Sequence, residues 1–224
     1  MRLHTKLTIV AITTLIAATV QADVITIDSR AGVACEYGDA YDSNPAGTDP
    51  CETVEIVPHS AWQPNNPYGS DAVWVSYANT GITGTATPAP SEADPIFSIT
   101  EMFTIGSNGS LEFYIWADDT AGVVLSLNGS GTEYTIEPNF SQGTCAAGSI
   151  GCEPNEFGSL SLALGAGTYS LRMDIYQVGS GTTASSNPFG VLYTGTATSV
   201  PEPGTLALLG LGLLGLGAAR RRKA

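Results

Sequence analysis

Leu111-Glu112-Phe113-Tyr114-Ile115-Trp116-Ala117-Asp118 sets Leu111, Phe113, Ile115 and Ala117 against Glu112, Tyr114, Trp116 and Asp118, one residue at a time. Successive side chains of a β-strand point to opposite faces, so a period of two predicts a strand with one face in a core and the other toward water. Working outward, Tyr169, Leu171, Met173 and Ile175 alternate in the same way with Ser170, Arg172, Asp174 and Tyr176. Leu160, Leu162 and Leu164 repeat the pattern over a shorter run. Asn-Gly pairs tolerate the positive φ that a tight hairpin requires. Asn108-Gly109 therefore predicts a hairpin between strands over 96–105 and 110–117, and Asn128-Gly129 a turn after a strand over 123–127. Many short strands divided by turns predict an all-β chain: a single antiparallel β-sandwich or jelly roll over residues 23–196, with a cysteine-containing N-terminal part at 23–58.

The two ends read differently. Arg2 and Lys6 precede a largely apolar run over 7–20, and Val20-Gln21-Ala22 offers a small-residue cleavage site, so residues 1–22 are predicted to be a secretory signal peptide cut after Ala22. At the other end, Val200-Pro201-Glu202-Pro203 falls in a linker predicted over 197–204. The 15 residues 205–219 carry no charge, and Arg220-Arg221-Arg222-Lys223 follow them directly. As a helix, residues 205–219 reach about 22 Å. The hydrocarbon core is roughly 30 Å thick, so local thinning or snorkelling arginines must close the gap. The expectation is a transmembrane helix over 205–219, with the basic tail 220–224 in the cytoplasm and the body outside.

This order of polar motif, apolar helix and terminal cations resembles the PEP-CTERM sorting signal of Gram-negative bacteria that make exopolysaccharide. The resemblance implies processing near Pro201-Glu202-Pro203 by a membrane-embedded exosortase. It also implies passage from the inner membrane, with a periplasmic or extracellular body, to the cell surface or matrix. Three internal segments resemble galactose-binding-like jelly-roll modules: Trp116–Gly129, Leu164–Leu171 and Pro188–Tyr193. That resemblance implies a fold used for carbohydrate or surface recognition, in some members with a structural Ca²⁺. Exopolysaccharide or surface glycans are the partners it implies beside the exosortase.

Charge and cysteine usage fit export. Between Asp23 and Glu202 only Arg30 and Arg172 oppose all 21 acids, a formal charge of −19. So acidic a surface repels nucleic acid, whose phosphates need cations, and excludes that class of partner. Cys35, Cys51, Cys145 and Cys152 all lie in the exported part, where disulfides persist. Of the three possible connectivities, the two local pairs, Cys35–Cys51 and Cys145–Cys152, are the expected ones because each staples a loop without strand pattern.

Candidate sites are sparse. A hydrolytic triad would have to use His59, beside Pro58, and no Gly-x-Ser-x-Gly elbow is present, so the chain is read as non-enzymatic. Trp62, Trp74 and Trp116 are candidate platforms for sugar rings, against the commoner use of tryptophan as core. Asp118, Asp119 and Asp174 are candidate Ca²⁺ ligands, against a solvated turn; no other cofactor is expected. The expected function is a non-catalytic surface or matrix protein contributing to envelope or biofilm structure. The alternatives are a carbohydrate-binding adhesin-like module and, more distantly, a secreted hydrolase.

Overall fold

The computed structural model describes residues 22–38, 49–89, 91, 93–127, 133–140, 150–178, 183–200 and 212. The described residues from 22 to 200 form one compact unit. Except for Ala22 and Gly212, the expected signal peptide, membrane helix and basic tail lie outside the described residues. Among the described residues no helix is long and apolar enough to cross a membrane.

The strands in chain order are β1 (Val24–Asp28), β2 (Ala34–Tyr37), β3 (Pro50–Glu52), β4 (Val54–Glu55), β5 (Val75–Ser76) and β6 (Phe97–Ile105). They continue as β7 (Gly109–Asp118), β8 (Thr120–Leu127), β9 (Glu133–Ile136), β10 (Gly158–Leu164), β11 (Gly167–Tyr176) and β12 (Gly190–Ser199). They form two antiparallel six-stranded sheets. One runs β10-β7-β12-β5-β4, with β1 also paired to β12; the other runs β3-β2-β6-β11-β8-β9. The all-β expectation holds, and the chain passes repeatedly from one sheet to the other.

The period-two runs explain why the sheets meet. Leu111, Phe113 and Ile115 of β7 and Leu171, Met173 and Ile175 of β11 are fully buried in one apolar cluster drawn from both sheets. The cost of ordering these chains is offset by apolar area removed from water, at about 25 cal/mol per Å². A bonded polar pair, Glu101 and Tyr193, stands at inward-facing positions. Glu101 of β6 accepts a hydrogen bond from Tyr193 Oη at 3.0 Å and faces Arg30 at 3.8 Å. Burial, then the neighbouring Glu101 charge, pushes the Tyr193 hydroxyl far above its ordinary range.

One turn does a different job from the one expected. Asn108-Gly109 does not close a hairpin: β6 pairs with β2 and β11, whereas β7 pairs with β10 and β12, so the turn carries the chain between sheets. Gly109 is not at positive φ either. It is needed because β12 comes too close, since a Cβ there would lie 1.9 Å from Thr198 O. The Asn128-Gly129 turn itself lies outside the described residues, but the strands flanking it, β8 and β9, do pair antiparallel.

Strand β12 extends to Ser199, into the segment read as linker, because Ala197 is a core residue paired with Ile25 and Leu111. Asp23 and Val200 therefore lie together at the same end of the sheet. Ser199 N donates to Asp23 O at 2.9 Å, and Val200 N to Asn108 O at 2.7 Å. The Cys35–Cys51 disulfide joins β2 to β3 as expected. Cys152 is also disulfide-bonded, and its expected partner Cys145 lies outside the described residues. Replacing Gly109 by alanine is expected to destabilise the fold by about 1–3 kcal/mol, because the new methyl must displace β12 backbone. Urea denaturation checks this, and a loss under about 0.5 kcal/mol would contradict the close approach.

Candidate functional site

The three tryptophans do not form a platform. Trp62, Trp74 and Trp116 are only 4%, 0% and 1% exposed. Trp116 does point away from the main core, as its parity in β7 requires, but that face is covered. It joins its cross-strand partner Leu192, with Ile56, Trp62, Ala72, Trp74 and Cys152, in a second apolar cluster. The loops that carry Trp62 and Cys152 are tied together by Gln63 N donating to Cys152 O at 2.7 Å. Trp74 Nε1 donates to Gln63 O at 2.7 Å, and the Trp62 and Trp74 rings lie 4.3 Å apart. Each indole has a large apolar area to remove from water, and the overlying loops supply the cover.

Further along the same face the cover ends and a groove of about 370 Å³ opens. Its floor is built from cross-strand rows. Thr26, Thr196 and Glu112 stand opposite one another across β1, β12 and β7, with Ser161 of β10 beyond the groove in the same row, and Thr194 stands opposite Tyr114 in the next row. Ser161 Oγ donates to Glu112 Oε1 at 2.5 Å, and Thr194 Oγ1 to Asp28 Oδ1 at 2.6 Å. The rim is Tyr68-Gly69-Ser70. Tyr68 is 68% exposed and has a left-handed backbone, φ 55°, directly after Pro67 and left-handed Asn66. Its ring lies 4.6 Å from that of Tyr114, at the edge of the second cluster. Hydroxyls, one carboxylate and an exposed aromatic are the groups that meet a saccharide's hydroxyl and C–H faces. The sequence reading missed Tyr68. The available signal was an aromatic inside the turn-forming string Asn65-Asn66-Pro67-Tyr68-Gly69, where no strand face could bury it.

The candidate metal ligands separate into two places. Asp174 belongs to the outer face of the second sheet, where its carboxylate accepts from Arg172 Nε at 2.8 Å and Ser98 Oγ at 2.6 Å. Asp118 and Asp119 stand at the corner between β7 and β8, and instead of forming a solvated turn they are only 5% and 3% exposed. Asp119 Oδ2 accepts from Val178 N at 2.7 Å and Gln177 Nε2 at 2.9 Å. Burial, followed by hydrogen bonding to Asp119 and repulsion from its charge, holds the Asp118 carboxyl well above the usual carboxylate range. Gln177 is fully buried, and its amide oxygen has no hydrogen-bond partner. Among the described residues no three His, Cys, Asp or Glu side chains gather. His59 Nδ1 accepts from Ala61 N at 3.2 Å within its own loop.

Residues 199–223 match the PEP-CTERM protein-sorting motif. Its first residue is the last of β12, so the motif begins where sheet pairing stops. No curated protein matches the chain. Among solved structures, it is similar to an exo-β-1,3-galactanase from Phanerochaete chrysosporium, crystallised with β-1,3-galactotriose. That match has 12% identity and a TM-score of 0.35, over 78% of this chain and 29% of that one. It is similar to a family 29 carbohydrate-binding module at 9% identity and TM-score 0.30, over 84% and 96% of the two chains. It is also similar to a GH26-CBM35 β-(1,4)-mannanase from Podospora anserina at 14% identity and TM-score 0.31, over 80% and 28%. The chain thus spans under a third of the galactanase and the mannanase.

Replacing Tyr68 by glycine relieves a left-handed backbone strain of about 1–2 kcal/mol and removes a ring contact of about 0.5–1.5 kcal/mol. The two nearly cancel, so the melting temperature is expected to stay within about 3 °C. A drop well beyond that in a thermal melt would show that Tyr68 is held for packing rather than presented.

Proposed function

We propose that this chain is an exported, non-catalytic β-sandwich protein, held at the inner membrane by its C-terminal segment and sorted by an exosortase to the cell surface or matrix. The observation that carries the reading is the PEP-CTERM sorting motif joined directly to β12, a strand in the interior of its sheet. Pulling on that segment loads the ladder between β7 and β12, which is a firm attachment for a surface-displayed body. A disulfide between β2 and β3 and a formal −19 on the body agree with life outside the cytoplasm. The non-catalytic reading is supported by the closed-off positions of Asp118 and Asp119 and by His59 being bonded within its own loop. A contribution to envelope or biofilm structure follows from that display, with exopolysaccharide as the surrounding material.

A second reading, saccharide recognition, is favoured by one observation: the exposed Tyr68 over a row of hydroxyls and Glu112. A glycan array probed with the wild-type protein and with Tyr68→Ala separates the two. A ligand bound by the first and lost by the second would establish recognition; no specific ligand would leave display alone.

Fractionation of cells with and without the exosortase, probing both the body and the C-terminal peptide, tests the main reading. The account expects intact tail in the membrane only when the exosortase is absent, and tail-free body at the surface otherwise. Identical processing in both strains would remove exosortase sorting from the account.

A further inference from the structure

The groove beside Tyr68 is lined by a carboxylate and by no cation. Glu112 stands exposed on its floor, and Ser161 Oγ donates to its Oε1 at 2.5 Å, which restrains the carboxylate. No other hydrogen bond or ion pair reaches Glu112 among the described residues. Two further carboxylates stand around the groove. Asp28 accepts from Thr194 Oγ1 of the floor at 2.6 Å, and Asp71 follows Ser70 of the rim, its N–H directed to Asp28 Oδ2 at 3.4 Å. The body's two arginines are engaged elsewhere. Arg30 meets Glu101 at 3.8 Å and Asp28 O at 2.9 Å, and Arg172 is bonded to Asp174 at 2.8 Å on the other sheet.

Tyr68 and Tyr114 supply the second half of the lining. Their rings lie 4.6 Å apart at 43°, and Tyr68 is held outward on its left-handed backbone. Aromatic faces receive the C–H face of a sugar ring and attract a cation through their quadrupole. The hydroxyls of Thr26 and Thr196 stand in the same row as Glu112. A ligand that suits the whole lining therefore brings a ring face, hydroxyls and a positive charge together. Acidic sugars bring the wrong sign against Glu112 and against a body at −19. A neutral sugar that covers Glu112 strips water from a carboxylate and returns no opposite charge. A sugar carrying a free ammonium meets all three requirements.

We propose that this groove binds a cationic amino sugar, a deacetylated hexosamine unit of a polysaccharide, with its ring on Tyr68 and its ammonium on Glu112. The proposal rests on the saccharide reading of the groove and narrows it from glycans in general to cationic ones. The acidity of the whole body then serves the same site, since its field draws a polycation toward the groove.

The test is calorimetric titration of the full chain in detergent micelles, in about 0.15 M KCl to screen diffuse charge. The probes are a glucosamine hexamer, the corresponding N-acetylglucosamine hexamer and hexalysine. Trp116 lies 6.2 Å from the Tyr68 ring, so its fluorescence reports occupancy independently. The glucosamine hexamer is expected to bind about tenfold tighter than either other probe. Glu112→Gln should erase that preference and leave the acetylated hexamer's affinity unchanged, and raising the pH until the sugar amine is neutral should do the same. Tyr68→Ala should weaken both sugars about fivefold. Equal, Tyr68-dependent binding of the two sugars would overturn the charge selection and leave the broader saccharide reading standing. Binding of neither sugar would overturn the proposal, and the broader reading would then stand or fall by the glycan array. Hexalysine bound as tightly as the glucosamine hexamer would overturn it too. Loss of that binding in Glu112→Gln would mark a site for basic peptide, and indifference to both variants would mark diffuse attraction to the acidic surface.

Discussion

The antiparallel pairing of Gly109–Asp118 with Gly190–Ser199 is the constraint on which the other features of the body depend. One end of this ladder matches Asp118 with Gly190 and so fixes the acidic corner. Its middle sets Tyr114 beside Thr194 and Glu112 beside Thr196, which makes the groove floor. Its other end matches Gly109 with Ser199, immediately before the sorting motif continues. A slip of one residue would turn Leu111, Phe113 and Ile115 out of the core and dismantle all three. The 1.9 Å that a Cβ on Gly109 would leave to Thr198 O is the local price of holding that register to the strand's end.

Strand β7 buries side chains on both faces, as its neighbour β12 does with Tyr193 on one and Leu192 on the other. The inward set fills the core shared by the sheets, and on the outward set Trp116 lies beneath the loops that carry Trp62 and Cys152. That second layer explains why the tryptophans present no exposed face here. The sheet face is apolar and covered at one end, hydroxyl-rich and open at the other. Asp28 links the two halves by accepting from Thr194 Oγ1 at 2.6 Å and Asp71 N at 3.4 Å.

What the residue pattern revealed was the alternation. The strands over β6, β7, β10 and β11, the core faces of β7 and β11, and the Cys35–Cys51 pairing were all legible from periodicity and spacing. Sheet membership was not. Period two says which face a residue shares, yet it is silent on which neighbour supplies the hydrogen bonds, so Asn108-Gly109 read as a hairpin when it is a crossing. Likewise Trp116 was placed on the correct face, but nothing local foretold that distant loops would cover it. Polar residues at inward parity were the missed clue. Gln177 after Ile175, and Glu101 between Ile99 and Phe103, each break an apolar row and each mark a polar cluster inside the fold.

The account rests on the body standing outside the cytoplasm after its terminal extensions have been dealt with, and intact mass of the protein recovered from cells bears on this most directly. The predicted species starts at Asp23, lacks the basic terminus Arg220-Arg221-Arg222-Lys223, has Cys35 and Cys51 oxidised, and comes from the surface or matrix fraction. A full-length species beginning at Met1, with those thiols reduced and found in the cytosol, would contradict it.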